Sequence, residues 1–396
     1  MEPVSPQRIL YLDCAPFTGG AQESLWTLMA EVGARGWEPV LVSADQGEQG
    51  LLARGRALGW RVYPLRASHW RANLAGAVRL ALERGAAGRV IRQALAETTP
   101  ALIHGNGVRS GLLLPRRRGE PLPVLLHDRD LRVPRLAVRW LAPRVGHVLA
   151  ISRGVAAKWE RWVPAPRLHV IPNGFDLERL AASRPAAGLA APGVRSWAVL
   201  VADLEPWKRH DVFLEAVALA ARPEVGLGAL LVGRARTPAA SLYLESLREL
   251  AAALGIAARV RFVNDAASAW PWLAAADIAV SAATAEPFGR TVIEALALGK
   301  PVVAVDACGP AEILAGCPAA TLCAPNAADL AAGLREWLEP ARRAAASAPA
   351  RAWAARYGRE PMVDAVCALY HTIRGSELTP HADSRRGGDR TSGRPA

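Results

Sequence analysis

Lysine is nearly absent from this chain of 396 residues, in which three lysines stand beside 45 arginines. Cysteine is also scarce, since only five occur and none lies in a Cys-x-x-Cys pair or at a spacing that suits zinc. A disulfide-rich scaffold is therefore excluded. The five cysteines are typical of ordinary thiols in a reducing compartment.

Long hydrophobic runs are missing as well. The first residues, MEPVSPQRILYL, hold an acid at position 2 and an apolar run of only four residues, which is unlike a signal peptide. The most membrane-like stretch, residues 266–285, contains Pro271 and Asp277, and an acid near the centre of a spanning helix costs roughly 2.5–3.5 kcal/mol. We therefore expect this stretch to form a domain interior, and we expect a cytoplasmic protein.

The composition excludes wholesale disorder, because 51% of the residues are hydrophobic and only 21% are charged. At roughly 100–200 residues per domain, the length predicts two or three domains. The formal net charge of +12 is uneven: residues 1–176 hold 24 Lys and Arg against 14 Asp and Glu, and residues 177–396 hold 24 against 22. The first part of the chain therefore carries most of the excess positive charge.

Short apolar runs alternate with helical patterns along the chain. Strands are predicted at residues 9–13, 39–43, 101–105, 123–128, 147–152 and 169–173, and again at 197–203, 229–233, 259–264, 278–282 and 301–306. Continuous apolar strands with helical crossovers are typical of parallel sheets covered on both faces. The fold class is therefore α/β, with two doubly wound Rossmann-like domains facing a cleft.

The alternation is interrupted at residues 181–196, a stretch rich in Ala, Pro and Gly, which predicts a linker. We accordingly expect a first domain at residues 1–176 and a second at residues 177–352. Residues 353–375 are expected to form a helix that packs back on the first domain. Residues 376–396 are rich in Ser, Gly and Arg and are expected to be a disordered tail.

The most informative segment is AATAEPFGRTVIEALALGKPVVA at residues 282–304. A strand, a turn with Glu286 and Gly289, and a helix are predicted in succession, and the free N–H groups at a helix start suit a phosphate. Glu294 lies one to two turns into the helix, and its side chain leans back toward the start. The pattern fits a ribose diol at Glu294 with phosphates at the helix start.

Glu286 and Glu294 form a Glu-x7-Glu pair that closely resembles the signature of retaining glycosyltransferases of the GT-B fold, specifically the family 4 group. Four further segments resemble that family in the same order: FTGGAQ at 17–22, His-Asp at 127–128, IPNGFD at 171–176 and LEPWKRHD at 204–211. The resemblance covers residues 8–315. The Glu-x7-Glu segment is highly specific, whereas each of the others alone is weak.

The resemblance implies a role for each matching residue, with Glu286, His127 and Lys208 as the catalytic set. Glu294 would bind the ribose of a UDP- or GDP-linked sugar, Lys208 would neutralise its diphosphate, and Glu286 would hold hydroxyls of the transferred sugar. Backbone donors at Phe288, Gly289 and Arg290 would lie near the phosphates. Gly19 and Gly20 would close over the phosphates from the first domain, and His127 would touch the donor sugar near the reacting carbon.

A lysine at position 208 is itself informative in a chain that uses arginine almost everywhere, since a compact ammonium suits phosphate oxygens. One departure concerns the residues before it. Where the family commonly has Gly-Arg, this chain has Ala202 and Asp203, so an arginine that helps to bind the diphosphate is missing. We hypothesise that Arg209 supplies the missing charge.

No metal or cofactor is expected, because the sequence places no convincing Asp-x-Asp motif or histidine cluster in the loops of the cleft. The resemblance implies transfer on one face of the sugar, with the leaving phosphate helping to deprotonate the acceptor. Asp128 is a candidate base, although an acid that merely ends or caps a strand is the simpler interpretation.

Arg109–Arg144 holds nine arginines against three acids and includes the run Arg116–Arg118. Pro134 is expected to open a helix in which Arg135 and Arg139 share one face. Such a segment suits an anionic membrane surface, and the acceptor would then be a lipid-linked sugar or a lipid. A solvated basic face is the alternative interpretation.

Two other functions stay open. A sugar-nucleotide 2-epimerase on the same fold would need further acid and base residues in the cleft. A degenerate, non-catalytic sugar-nucleotide-binding protein is compatible with Asp203. A nucleic-acid binder is disfavoured, because no recognisable RNA- or DNA-binding motif occurs in the sequence.

Overall fold

The computed structural model describes residues 7–66, 74–114, 122–221, 226–266 and 268–377. The run Arg116–Arg118 and residues 378–396 of the expected tail therefore lie outside the described residues. Two parallel sheets organise the rest of the chain, the first built before residue 171 and the second after residue 195.

The first half alternates strands and helices. Its elements are β1 (Gln7–Asp13), α1 (Gly20–Glu31), β2 (Trp37–Ala44), α2 (Leu51–Ala57), β3 (Arg61–Leu65), α3 (Leu74–Thr98), β4 (Leu102–Asn106), α4 (Gly107–Leu113), β5 (Val124–Asp128), α5 (Arg135–Leu141), β6 (His147–Ala150), α6 (Arg153–Ala156), β7 (Leu168–Val170) and α7 (Leu177–Ala181). The strand order is β3-β2-β1-β4-β5-β6-β7, and the pairing is parallel throughout.

The second half repeats the plan. Its elements are β8 (Ser196–Val201), α8 (His210–Ala220), β9 (Leu227–Val232), α9 (Pro238–Ala253), β10 (Val260–Val263), α10 (Trp270–Ala275), β11 (Ile278–Ser281), α11 (Arg290–Ala297), β12 (Val302–Val305), α12 (Cys308–Leu314), β13 (Ala320–Cys323), α13 (Ala327–Glu336), α14 (Pro340–Ala354) and α15 (Arg359–Glu377). The strand order is β10-β9-β8-β11-β12-β13. The expected fold class is confirmed: the chain has two doubly wound α/β halves.

Continuous apolar strands form here because both faces of each sheet are covered. In β1, Ile9 and Tyr11 pack on one face with α1 and α15, while Leu10 and Leu12 pack on the other face with α3. Residues 266–285 contribute α10 and β11 to the second sheet and its cover, so they form part of a domain interior as expected. No described helix is both long and apolar enough to span a bilayer.

The last helix belongs physically to the first half. α15 follows the second sheet in sequence, but its apolar residues are buried against α1 and β1, and Tyr370 is fully buried there. The Arg35 guanidinium binds the Asp364 carboxylate at 2.7 Å on the same contact. Burying one large side chain is worth roughly 1.5–3 kcal/mol, so the few apolar residues of α15 are enough to fix the helix on the first half.

The strand order locates one candidate binding edge in each sheet, and a hydrogen bond joins the two edges. In each doubly wound sheet the ligand crevice lies beyond the carboxyl ends of the strands at the point where the order reverses. That point lies between β1 and β4 in the first sheet and between β8 and β11 in the second. The Ser152 hydroxyl donates to the Pro287 carbonyl at 2.7 Å, which joins the two edges.

Candidate active site

A recess opens between the ends of β8 and β11 and the start of α11. Its lining includes Ala202, Lys208, Ala283, Glu286 and Thr291. Lys208 ends a short 3-10 turn, Pro206–Lys208, and Glu286 lies in the turn after β11. The Lys208 ammonium contacts the Glu286 carboxylate directly, and each side chain is only 18% exposed. The structure thus brings together two of the three residues expected to be catalytic.

The turn before α11 depends on one glycine. Gly289 has a φ of +98° and precedes the first residue of the helix, and a Cβ there would lie 3.2 Å from Pro310. Because residues that carry a side chain rarely adopt this backbone conformation, glycine is required for the sharp turn into α11. The Phe288 side chain points away from the recess and stacks on Phe175 at 6.3 Å. Only its backbone remains available to a ligand.

Glu294 lies on the first turns of α11 and is 7% exposed. One of its carboxylate oxygens lies 3.4 Å from the Arg290 guanidinium. Glu294 therefore reaches the helix start, as the direction of helical side chains requires. A single long hydrogen bond leaves this carboxylate with acceptor capacity for a hydroxyl pair.

Arg290 crosses the cleft. Its guanidinium donates to the Gly20 carbonyl at 3.4 Å and to the Ser24 hydroxyl at 3.3 Å, and it lies 4.8 Å above the Phe175 ring. A Cβ on Gly20 would lie 2.9 Å from Arg290 Cδ. Gly19 precedes α1, where its N–H bonds to Gln22. The glycine pair thus faces the α11 start across the cleft.

The charges around residue 203 are already paired. Asp203 accepts a hydrogen bond from Arg236 at 2.9 Å, so its carboxylate is partly neutralised. Arg209 has a φ of +58°, and its guanidinium lies 3.3 Å from the Asp211 carboxylate. Arg209 is near Lys208 in the chain, but its charge is shared with Asp211 in this structure.

His127 lies at the carboxyl end of β5 and is buried. Arg129 donates from Nη2 to His127 Nδ1 at 3.2 Å, and because a guanidinium only donates, this nitrogen is the acceptor. The proton of the neutral ring is therefore on Nε2, which has no partner among the described residues. Burial and the nearby Arg129 charge hold the pKa of His127 well below its usual value, so the ring is neutral.

A buried chain of hydrogen bonds extends this assignment. His104 Nε2 lies 3.1 Å from the accepting Nδ1 of His127, so His104 donates from Nε2. The other ring nitrogen of His104, Nδ1, therefore carries no proton. The Tyr370 hydroxyl lies 2.6 Å from that nitrogen and donates to it, and the Tyr11 hydroxyl lies 3.2 Å from Tyr370. Burial lowers the pKa of His104 to about 3. The chain therefore fixes one tautomer of His127.

Several further residues of this edge were not among those predicted from the sequence. Asp13 ends β1 and accepts from Asn106 at 2.7 Å and from Gln22 and Gln46 at 3.0 Å. Burial raises the pKa of Asp13 despite these donors. The signal was present, since an acid directly after an apolar strand marks the carboxyl end. His104 and Tyr370 carried no such signal, because one is internal to β4 and the other belongs to a distant helix.

Asp128 is confirmed as the strand-end acid that the simpler interpretation described. Its carboxylate accepts from Trp159 Nε1 at 2.6 Å, pairs with Lys158 at 2.7 Å, and is fully buried. These partners face α6 and not the recess. No group of three or more His, Cys, Asp and Glu that is able to hold a metal occurs in the described ranges.

Two family models match the chain, one on each half. Residues 18–179 match Glycosyltransferase Family 4, and residues 189–353 match Glycosyl transferases group 1. A D-inositol 3-phosphate glycosyltransferase of Geodermatophilus obscurus is 34% identical over 58% of this chain and 52% of its own length. The mannosyltransferase LpsB of Rhizobium meliloti, for lipopolysaccharide core biosynthesis, is 30% identical over 51% of this chain and 60% of its own length. The chain thus spans only about half the length of these relatives.

Solved structures agree over almost the whole chain. HepE of Anabaena, determined with UDP and glucose, superposes with a TM-score of 0.75 at 23% identity, covering 92% of this chain and all of that one. Sucrose-phosphate synthase of Thermosynechococcus elongatus gives 0.78 at 19% identity over 93% of this chain and all of that one. At such identities the likeness shows the fold. Taken with the two family models, it places the chain among the GT-B glycosyltransferases of the family 4 group, to which it belongs.

Proposed function

We propose that the protein transfers a sugar from a UDP- or GDP-linked donor to a glycan or lipid-linked acceptor, with retention of anomeric configuration. The observation that carries this proposal is the meeting of Lys208 and Glu286 in the recess beside the α11 start. One end of the recess offers a cation and helix N–H groups, which suit a diphosphate. The other end offers a carboxylate, which suits sugar hydroxyls.

The nucleotide end of the donor is assigned to the second domain. Glu294 is buried one turn behind the recess and has spare acceptor capacity, which supports contact with a ribose diol. HepE, which shares the fold, was determined with UDP and glucose. In this proposal the nucleotide sugar is a substrate, and no metal or further cofactor takes part.

The proposed chemistry follows from where charge develops. Breaking the bond between the anomeric carbon and the phosphate leaves positive charge on the sugar and negative charge on the diphosphate. On donor binding, Lys208 would exchange Glu286 for the phosphate oxygens, and Glu286 would turn to the sugar hydroxyls. The His127 Nε2–H is free to donate to a sugar oxygen. Asp128 is occupied by Lys158 and Trp159, which supports the leaving phosphate as the group that takes the acceptor proton.

Thermal stabilisation by nucleotide sugars and nucleoside diphosphates tests this proposal first. The compound that stabilises is then assayed for release of the nucleoside diphosphate, and the product anomer is determined by NMR. Glu286→Gln is compared with Glu249→Gln, which alters an exposed acid on α9. We expect turnover to be lost only in the first variant. Isomerised donor in place of released diphosphate would favour the epimerase alternative, and binding without either product would favour a degenerate protein.

We also propose that the first domain docks on an anionic membrane surface. α5 forms after Pro134 as expected and presents Leu136, which is 78% exposed, and Leu82 of α3 in the same half is 73% exposed. The Trp140 ring lies 4.7 Å from the Arg84 guanidinium and 3.9 Å from that of Arg144. An exposed apolar edge framed by arginines and tryptophan is typical of interfacial segments.

Vesicle co-sedimentation tests the membrane proposal. The wild type is expected to bind vesicles of phosphatidylcholine with phosphatidylglycerol, and to bind pure phosphatidylcholine poorly. Leu136→Ser is expected to weaken that binding, whereas Leu242→Ser, at a residue 74% exposed on the second domain, is not. Equal binding to neutral and anionic vesicles would contradict the electrostatic part and favour a solvated basic face.

A further inference from the structure

Arg129 is a buried arginine that makes no ion pair with a carboxylate among the described residues. The residue is 6% exposed and follows β5 at the cleft edge. Its Nε donates to the Asn106 side-chain oxygen at 2.6 Å, Nη1 to that of Asn173 at 2.6 Å, and Nη2 to His127 Nδ1 at 3.2 Å. All three acceptors are neutral. Two of the five N–H donors of the guanidinium have no partner in the described part of the chain.

This arrangement is costly without a counter-charge. A buried cation loses its hydration, and neutral acceptors restore only part of that loss. Burial and the positive charge of Arg290 lower the pKa of Arg129 to about 9, and the Asp13 and Asp130 carboxylates, which make no ion pair with it, oppose this shift only in part. The fold therefore holds the guanidinium by three neutral acceptors, and a bound anion would supply the direct counter-charge that these acceptors do not.

One group close to Arg129 is a further donor. The Nε2–H of His127, two residues away, is buried and has no partner among the described residues. Arg129 and the Tyr370–His104 chain fix that N–H as a donor, so the same short segment carries guanidinium N–H groups and one imidazole N–H. A lining that offers donors and a positive charge selects an oxyanion.

We propose that Arg129 binds an oxyanion carried by the acceptor, a phosphate or a carboxylate group. This inference rests on the proposed function and adds the substrate class on the acceptor side. The donor diphosphate already has Lys208 and the α11 start on the second domain. Arg129 and its partners Asn106, Asn173 and His127 all belong to the first sheet or its exit, which is the acceptor side of the cleft.

Calorimetry with inorganic phosphate as the probe tests the assignment. Phosphate is titrated into the full protein saturated with whichever of UDP or GDP binds, and the nucleotide alone is titrated in parallel. Arg129→Gln is expected to weaken phosphate binding about tenfold or more and to leave the nucleotide affinity within twofold. Arg132→Gln, which removes the same charge from an exposed residue of the same loop, is expected to change neither.

A second variant covers the case in which Arg129→Gln does not fold. Asn173→Asp keeps the side-chain shape and gives Arg129 the internal carboxylate that it lacks. This variant is expected to unfold at a higher temperature than the wild type and to bind phosphate about tenfold more weakly.

Three outcomes would overturn the assignment. They are unchanged phosphate binding in both variants, absence of saturable phosphate binding in the wild type, or a loss of nucleotide affinity in Arg129→Gln as large as that in Lys208→Ala. The last outcome would assign Arg129 to the donor diphosphate. Failure of the wild type to bind either nucleotide would instead contradict the proposed function, and phosphate titrated without nucleotide still tests Arg129.

Discussion

Lys208 and Glu286 are 78 positions apart in the chain, yet the ammonium of one lies against the carboxylate of the other at the mouth of the recess. The pair joins the loop after β8 to the turn after β11, the two strands between which the order of the second sheet reverses. The ammonium and the carboxylate are each held close to the place where a nucleotide-sugar donor would contact them. Binding a diphosphate there requires the pair to separate.

Replacing Lys208 tests whether a compact cation is required. Lys208→Ala is expected to lower kcat/KM about 10²–10³-fold, the usual cost of removing one group that stabilises developing charge. Lys208→Arg is expected to recover little, because the guanidinium is larger and planar. Steady-state kinetics with the identified donor measure both.

Arg209→Ala is the companion measurement, because we hypothesised that Arg209 compensates for the missing arginine before the loop. If Arg209 serves the diphosphate, this variant also loses donor affinity, though less than Lys208→Ala. Unchanged affinity would show that its contact with Asp211 is its whole role.

Glu294→Gln tests the ribose assignment. A hydrogen bond to a charged group is worth roughly 1.5–3 kcal/mol, so we expect the nucleoside diphosphate to bind about 10–100-fold more weakly. The sharper measurement uses the 2′-deoxy nucleotide: the wild type should lose affinity for it, and Glu294→Gln should not distinguish the two nucleotides. A variant that still distinguishes them would exclude Glu294 as the ribose ligand.

Tyr370→Phe tests whether the last helix acts on the cleft. Removing the hydroxyl leaves the bare Nδ1 of His104 without its donor, which costs about 1–3 kcal/mol of stability and removes the contact that fixes the tautomer of His104, the ring that donates to His127. We expect kcat to fall with KM for the donor nearly unchanged. The ¹⁵N shifts of the His104 ring should move from one fixed tautomer to a mixture, whereas His127 keeps its tautomer through Arg129.

Tyr11→Phe is the matched control, since it removes only the outer hydroxyl of the same chain. It is expected to leave the ¹⁵N signature of His104 intact. An unchanged signature in Tyr370→Phe would contradict the role assigned to this chain.

The interior strands were predictable because their burial on both faces produces continuous apolar runs, as in residues 9–13 and 301–306. Two of the four edge strands, β3 and β13, were not. β3 and β13 each pair on one side only, and their residues are only partly covered, so RVYPL and ATLC lack an uninterrupted apolar pattern. Edge position weakens the same physical signal that identifies a central strand.

The candidate site divides in the same way. Glu286, Gly289 and Glu294 lie on one strand–turn–helix unit, so local spacing predicts their relation. The contact between Tyr370 and His104 joins residues 266 positions apart and depends on how α15 packs. Arg129 directly follows the predicted His-Asp pair, but a burial without a carboxylate partner is a property of the fold and is invisible in the sequence.

His210 is expected to make the free energy of unfolding depend on pH. This residue begins α8, and its burial lowers its pKa to about 4. The ordinary value of about 6.5 applies in the unfolded chain. On acidification from pH 7 to pH 5 the unfolded state therefore gains a proton at His210 that the folded state does not, and stability falls. Linkage puts the contribution at about 2 kcal/mol over this range.

His210→Gln removes that contribution, so its free energy of unfolding should fall about 2 kcal/mol less than that of the wild type between pH 7 and pH 5. Urea titrations at the two pH values measure the difference. The raised pKa of Asp13 has the opposite sign, because the folded state binds the extra proton there, but it is common to both proteins and cancels. An equal loss in both proteins would mean that His210 is already protonated in the folded state at pH 5, and its burial would then have to be relieved by a local opening of the α8 start.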